Sequence, residues 1–253
     1  MSSALTAGAG EAASPAESES LSVLDDLGAL GAAIRQRTAA GHPPGTVLDL
    51  GGGTGVIAVP LARAGHLVTV LDQSPDALAT LARRTAAAGV ADRVTGLVHD
   101  LDSFDGLSLT ADIVLCHRVL EYVDDPERTL TGARAALSNG GVLSIVCATR
   151  AGSILARTVA GRRDEALAIA DDPRGRSGPT DQLQRRFEPA VLIALCESVG
   201  LRVTGRRGIG LIDELGGQQG KGNDLAIRSL LENVDAFVEV APYLHLIAEA
   251  RGS

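Results

Sequence analysis

The 253-residue sequence predicts an α/β fold, in which short buried parallel strands alternate with helices on both faces of one sheet. Three observations predict it. Residues 47–55 read VLDLGGGTG, an apolar run with one Asp that enters a glycine cluster and then a segment of helical spacing. This is how a buried strand turns tightly into a helix beside a ligand. Further apolar runs recur at 67–71, 94–99, 112–116 and 142–148, separated by stretches of helical period. Finally, Asp72 stands at the end of the second run, about twenty residues beyond the loop.

Glycine is wanted in such a loop because it reaches backbone angles closed to other residues and lets main-chain N–H groups approach a ligand. Asp49 followed by Gly51, Gly53 and Gly55 resembles the first motif of class I S-adenosylmethionine-dependent methyltransferases, an acid followed by GxGxG. A dinucleotide site would spell G-x-G-x-x-G, and its third glycine would fall on Val56, which speaks against a nicotinamide cofactor. The resemblance implies a Rossmann-like, seven-stranded, mostly parallel sheet whose last strand is antiparallel. It also implies S-adenosyl-L-methionine as donor and S-adenosyl-L-homocysteine as product.

Length suits a single domain, over 21–253, behind a tail at 1–20 that is rich in Ser, Ala, Gly and Glu and carries no secretory signal. Hydrophobic residues make up 45% and charged ones 21%, a globular balance, and no apolar run approaches the roughly 20 residues that span a bilayer. The net charge of −8 repels nucleic acid and anionic membrane on average. Cys116, Cys147 and Cys196 lack disulfide or zinc spacing, so no metal is expected and a reducing cytoplasm fits. Neither the composition nor any heptad pattern predicts an oligomeric state.

Residues 21–39 repeat Leu21, Leu24, Leu27, Leu30 and Ile34 at helical spacing, and the prolines at 43 and 44 end that helix. Residues 54–64 should form the first crossover helix, its amides capping the donor carboxylate, with Pro60 giving a slight bend or a Pro-compatible turn. The second strand ends at Asp72, placed to accept from both ribose hydroxyls, with Gln73 beside it in the donor set. Ser74 then caps a helix that has Pro75 at its first position. After the third strand the resemblance implies that Asp100 accepts from the adenine amino group while Leu101 packs on the ring, and Asp102 and Asp105 compete for the acidic role.

The fourth strand, 112–116, delivers Cys116 and His117 to the switch point of the sheet, beside the donor. A helix over 126–137 follows, closed by Asn139, Gly140 and Gly141 before the fifth strand. His117 is the candidate catalytic residue, as a base for a hydroxyl acceptor, as a positioning group, or as a packing residue only. Glu121 is either an orienting group or a helix-start acid. Residues 150–186 hold eight arginines against five acids and form either a substrate lid, at 150–187, or a solvated surface. A helix over 189–198 stopped by Gly200, a sixth strand starting at 201–203, a loop over 216–222, a helix over 224–240 and a last strand over 243–248 complete the chain. On that last strand Tyr243, His245 and Ile247 share one face.

HRVLEYV at 117–123 is similar to the H-x-V-L-E-W-V segment of the tRNA 5-carboxymethoxyuridine methyltransferase (SmtA-like) branch. The segment from Thr149 to Leu155 and the tail with Asp235, Phe237, Tyr243, Leu244, His245 and Leu246 agree with that branch as well. The likeness marks Arg150, Tyr243 and His245 as candidate substrate residues. The branch's Asn is here Thr149, its Trp is Tyr122, and an Arg after the sixth strand is Gly210. With three Phe, two Tyr and no Trp, the chain is poor in surfaces on which RNA bases stack. The expected activity is methyl transfer to an oxygen, carboxylate or hydroxyl, of a small-molecule or nucleotide-linked acceptor. A small acceptor is favoured over tRNA, and a catalytically silent donor-binding protein is the other alternative.

Overall fold

The computed structural model describes residues 44–104, 108–211 and 230–251. The expected tail, the helix over 21–39, Asp105 and the loop over 216–222 lie outside the described residues. Seven strands form one sheet: β1 (Thr46–Leu50), β2 (Leu67–Asp72), β3 (Val94–Val98), β4 (Ala111–His117), β5 (Leu137–Ala148), β6 (Leu201–Ile209) and β7 (Tyr243–Ala250). Their order is β3-β2-β1-β4-β5-β7-β6. The first five pair in parallel, and β7 is inserted antiparallel between β5 and β6. The chain leaves β1 toward β2 on one side and β4 on the other, so the switch point lies at the carboxyl end of β1.

Helices cover both faces, and the central strands bury both of their side-chain rows, while β3 at the sheet edge is mostly exposed. On one face α1 (Ala58–Arg63) and α2 (Pro75–Ala87) cover Val47, Val68, Val70, Ile113 and Leu115. On the other, α3 (Pro126–Ala135) and α6 (Pro189–Ser198) cover Leu48, Leu50, Cys116, Leu143 and Ile145. Ser74 accepts from the Ala77 amide and Asp125 from the Arg128 amide, each followed by proline at the start of its helix.

Three boundaries differ from the sequence expectation. Helix α1 starts at Ala58 instead of residue 54, because Gly55 has a φ of +80°, outside the helical region, and Pro60 falls in the first turn, where a missing N–H costs no helical bond. Strand β5 pairs with β4 from Leu137, and the glycines at 140 and 141 sit within a register shift of that pairing. In the last region the short α7 (Asp235–Val238) starts after an extended Val234, so the described part of the expected 224–240 helix is interrupted.

After β5 the chain makes an excursion through α4 (Arg150–Val159) and α5 (Arg163–Asp171), closed at its base by a bridge between Thr149 and Phe187. Thr149 caps α4 by accepting from the Gly152 amide, and its hydroxyl donates to the Ala241 carbonyl. That contact brings the α4 start against the backbone before β7, and a Cβ on Gly152 would overlap the Ala241 carbonyl. Gly152→Ala is accordingly expected to lower stability by about 1–3 kcal/mol, read as a lower urea midpoint at unchanged slope.

Candidate functional site

The candidate site follows the carboxyl edge of four adjacent parallel strands. Between β1 and α1, Gly51, Gly53 and Gly55 have φ of +67°, +56° and +80°, so every second residue of the turn uses the left-handed region. The turn is closed from β2: the Gly51 amide donates to the Leu71 carbonyl (2.7 Å), and the Gly53 amide to Asp72 Oδ2 (2.9 Å). Asp72 Oδ1 accepts from the Ser74 amide (2.8 Å). Each carboxylate oxygen keeps a second acceptor position, which suits a pair of vicinal hydroxyls. A Cβ on Gly53 would stand 3.7 Å from Asp72 Oδ2, so glycine there leaves the carboxylate uncovered.

Asp100 caps a one-turn 3₁₀ helix, Leu101–Ser103, by accepting from the Asp102 amide, and it is exposed. Asp102 instead accepts from the amides of Asp124 (2.7 Å) and Asp125 (3.3 Å), which ties the loop after β4 to the loop after β3. That use separates the two competing acids. Leu101 and Val119 both approach Gly51, forming an apolar wall beside the turn. Gln73 is exposed next to Asp72.

Cys116 and His117 point to opposite faces of β4. The Cys116 side chain is fully buried in the core, leaving only its backbone on the edge, and burial pushes its thiol well above the ordinary range. His117 is half-buried, with Nε2 2.8 Å from Ser144 Oγ, and burial lowers its pKa to about 4, so the ring is neutral at physiological pH. Arg118, with φ of +58°, is a non-glycine residue in the left-handed region, a strain of order 1–3 kcal/mol. Its guanidinium lies 4.5 Å from the centre of the Tyr243 ring and donates to Glu121 Oε1 at 3.1 Å. Glu121 is fully buried, also accepts from the Ala148 amide (2.7 Å), and lies before α3. It therefore orients Arg118 and is not a helix-start acid.

Two of the three substrate candidates do not stand free. His245 is 1% exposed, with Nε2 2.8 Å from Ser144 Oγ, and so is one layer behind His117. Arg150 donates to the Ala170 carbonyl (2.5 Å) and lies 3.9 Å from Glu188, inside the excursion. Tyr243 remains half-buried beneath Arg118. Other arginines of the excursion face inward as well. Arg186 is buried, paired with Asp181 (2.5 Å) and bonded to Ser153. Arg185 donates to the carbonyls of Leu120, Val123 and Asp124, and Gln184 to that of Tyr122, so the end of the excursion is pinned to the loop after β4.

Arg118, Ser144 and Arg207 were not singled out by motif. Ser144 carries a faint signal as a lone hydroxyl in the apolar run before Cys147, whereas Arg118 and Arg207 gain meaning only from their neighbours. Among the described residues no group of three or more His, Cys, Asp or Glu side chains is placed to hold a metal ion.

Asp49, 2% exposed behind the turn, has its Oδ2 buried without a partner, and burial first and Asp72 second raise its pKa to about 7. An unfolded Asp ionises near 4, so the folded chain holds this proton where the unfolded chain does not. Stability is thus retained below pH 4 and lost as pH rises through 7. Asp49→Asn should raise the unfolding free energy relative to the parent at pH 8 by on the order of a few kcal/mol, read as a higher urea midpoint, and the gain should shrink toward pH 4.

Residues 48–143 match the model of a family described as a methyltransferase domain. The chain is 29% identical over 202 residues to a tRNA 5-carboxymethoxyuridine methyltransferase of Escherichia coli strain K12, covering 79% of this chain and 76% of that protein. It is 27% identical over 186 residues to a ubiquinone biosynthesis O-methyltransferase of Methylobacterium nodulans, covering 74% and 71%. Similar solved folds include the CcbJ methyltransferase of Streptomyces caelestis, with TM-score 0.57, 19% identity and coverage of 85% and 87%. Magnesium protoporphyrin IX methyltransferase of Synechocystis, solved with bound SAH, gives TM-score 0.57 and 16% identity over 90% and 84%. Residues 48–143 are thus a methyltransferase domain, and fold, motif order and relatives agree on an S-adenosylmethionine-dependent methyltransferase with the class I fold.

Proposed function

We propose that this methyltransferase places the methyl group on an oxygen, carboxylate or hydroxyl, of a small-molecule or nucleotide-linked acceptor. The observation that carries the proposal is the pair of relatives of similar identity, one named for O-methylation in ubiquinone biosynthesis and the other for 5-carboxymethoxyuridine in tRNA. The site is compatible with either, since a neutral imidazole and a half-exposed guanidinium stand at the end of β4.

Bound S-adenosylmethionine supplies an electrophilic methyl group on a sulfonium. In our reading Asp72 accepts from the ribose hydroxyls, and the amides of the turn through Gly51, Gly53 and Gly55 face the methionine end. Asp49 stands behind that turn as the acid of the first motif. Asp100 takes the adenine amino group, Leu101 its ring, while Gln73 and the Cys116 backbone complete the wall. His117 is the residue facing the acceptor. The protein's contribution to such an in-line displacement is alignment and exclusion of water. The excursion at 150–187 walls the acceptor side as a lid, with Arg150 and Tyr243 at its base and His245 acting through Ser144.

The tRNA reading is favoured by the Escherichia coli relative and disfavoured by the scarcity of aromatic residues. Incubating the purified chain with methyl-labelled donor and either the tRNA or the small-molecule fraction of a cell extract separates the two. Label in the small-molecule fraction is expected. Label confined to tRNA would replace the proposal, and none in either, with donor still bound, would indicate a silent binder. In titration calorimetry, Asp72→Ala should weaken S-adenosylmethionine binding by about 10- to 100-fold, the worth of losing charge-assisted hydrogen bonds.

A further inference from the structure

His117 ends a row of buried polar side chains whose hydrogen bonds have one consistent direction. The sheet register places His117 opposite Val146, Val146 opposite His245, and His245 opposite Arg207, across β4, β5, β7 and β6. Ser144 lies two residues before Val146 and shares its face. Along the row, Arg207 Nε lies 3.2 Å from His245 Nδ1, His245 Nε2 2.8 Å from Ser144 Oγ, and Ser144 Oγ 2.8 Å from His117 Nε2. Arg207 is held at its other end by Glu232 (3.0 Å).

A guanidinium has only donors. His245 Nδ1 must therefore accept, and a neutral imidazole has a single proton, which then sits on Nε2 and is donated to Ser144 Oγ. The Ser144 hydroxyl has one hydrogen of its own, and the remaining partner for it is His117 Nε2. That nitrogen accepts, which leaves the proton of the neutral His117 ring on Nδ1. Protonation of His245 would set its Nδ1–H against the Arg207 guanidinium, and protonation of His117 would turn the Ser144 hydroxyl hydrogen out of the row and away from its partner. Burial opposes it too: the pKa of His245 lies well below the ordinary value, through burial first and then the neighbouring His117 and Arg207.

We infer that Arg207, His245 and Ser144 are positioning residues that hold His117 in its Nδ1–H tautomer, so that the ring offers the acceptor a hydrogen-bond donor and not a base. The inference rests on the assignment of His117 to the acceptor side of the site. Its chemical content is specific. A ring whose Nε2 is engaged and whose Nδ1 is already protonated cannot take a proton from a hydroxyl without becoming a cation, which the row resists. What it does instead is hold an oxygen lone pair in line.

The test is nitrogen-15 NMR of the full chain labelled at histidine, in which the protonated and unprotonated ring nitrogens give separate resonances. The chain has five histidines, and His117→Gln identifies the signals of this one. In the parent chain near neutral pH, His117 should show Nδ1 protonated and Nε2 bare. Ser144→Ala should move the proton partly or wholly to Nε2. Arg207→Met should scramble both rings, while Arg207→Lys, which keeps a donor, should restore the parent pattern. A His117 found protonated at Nε2 or at both nitrogens in the parent chain overturns the inference, and so does a folded Ser144→Ala chain with an unchanged pattern. The parent spectrum decides even if a variant fails to fold. Calorimetry with S-adenosylmethionine on the same samples keeps the two claims apart: absent binding retires the donor assignment while the tautomer result stands.

Discussion

The interaction on which the rest of the site depends is the grip of the Asp72 carboxylate on two backbone amides. One oxygen holds Gly53 in the turn after β1, the other holds Ser74 at the start of α2, and the Leu71 carbonyl takes the Gly51 amide beside them. A loop with three left-handed residues has no repeating pattern of its own to satisfy its donors, so it keeps its shape only if a neighbouring strand supplies acceptors. Because that acceptor is a side chain at a strand end, the turn, the second helix and the carboxyl end of β2 form one unit.

Electrostatics around this unit are set by burial more than by pairing. Asp49 and His117 flank the turn and the end of β4, and both are driven toward their neutral forms, the acid upward and the imidazole downward. Glu121 shows the same competition, with burial pushing its pKa up against the Ala148 amide and Arg118. The two buried titratable groups around the turn and the end of β4 therefore add little formal charge to the cleft edge. Such an edge can hold a cationic sulfonium without large like-charge repulsion, and its low polarity strengthens each hydrogen bond made there.

The excursion after β5 is held by a different device. The excursion leaves and re-enters the chain at the Thr149–Phe187 bridge, and its returning segment hydrogen-bonds to the loop after β4 through Gln184 and Arg185. An arginine-rich stretch that resembles an anion-binding surface in sequence is thus largely consumed in holding its own fold and that loop. The cations left at the site edge are few, and Arg118 is set there by a strained backbone, a carboxylate and an aromatic ring together.

The sequence by itself determined the α/β class, the positions of most strands, the glycine turn and the capping of α2. All of these are local or periodic: a strand end, a turn residue and a cap are specified by neighbours within a few positions. Tertiary structure decided what depends on lateral register. The start of α1 awaited the backbone angle of Gly55, Asp102 was diverted to the amides after β4, and Arg150 was absorbed by α5 and Glu188. His245, marked by resemblance as a substrate residue, proved to stand behind Ser144. The row from Arg207 to His117 joins four strands that are distant in sequence, and no spacing along a single chain encodes which residues a sheet will set side by side.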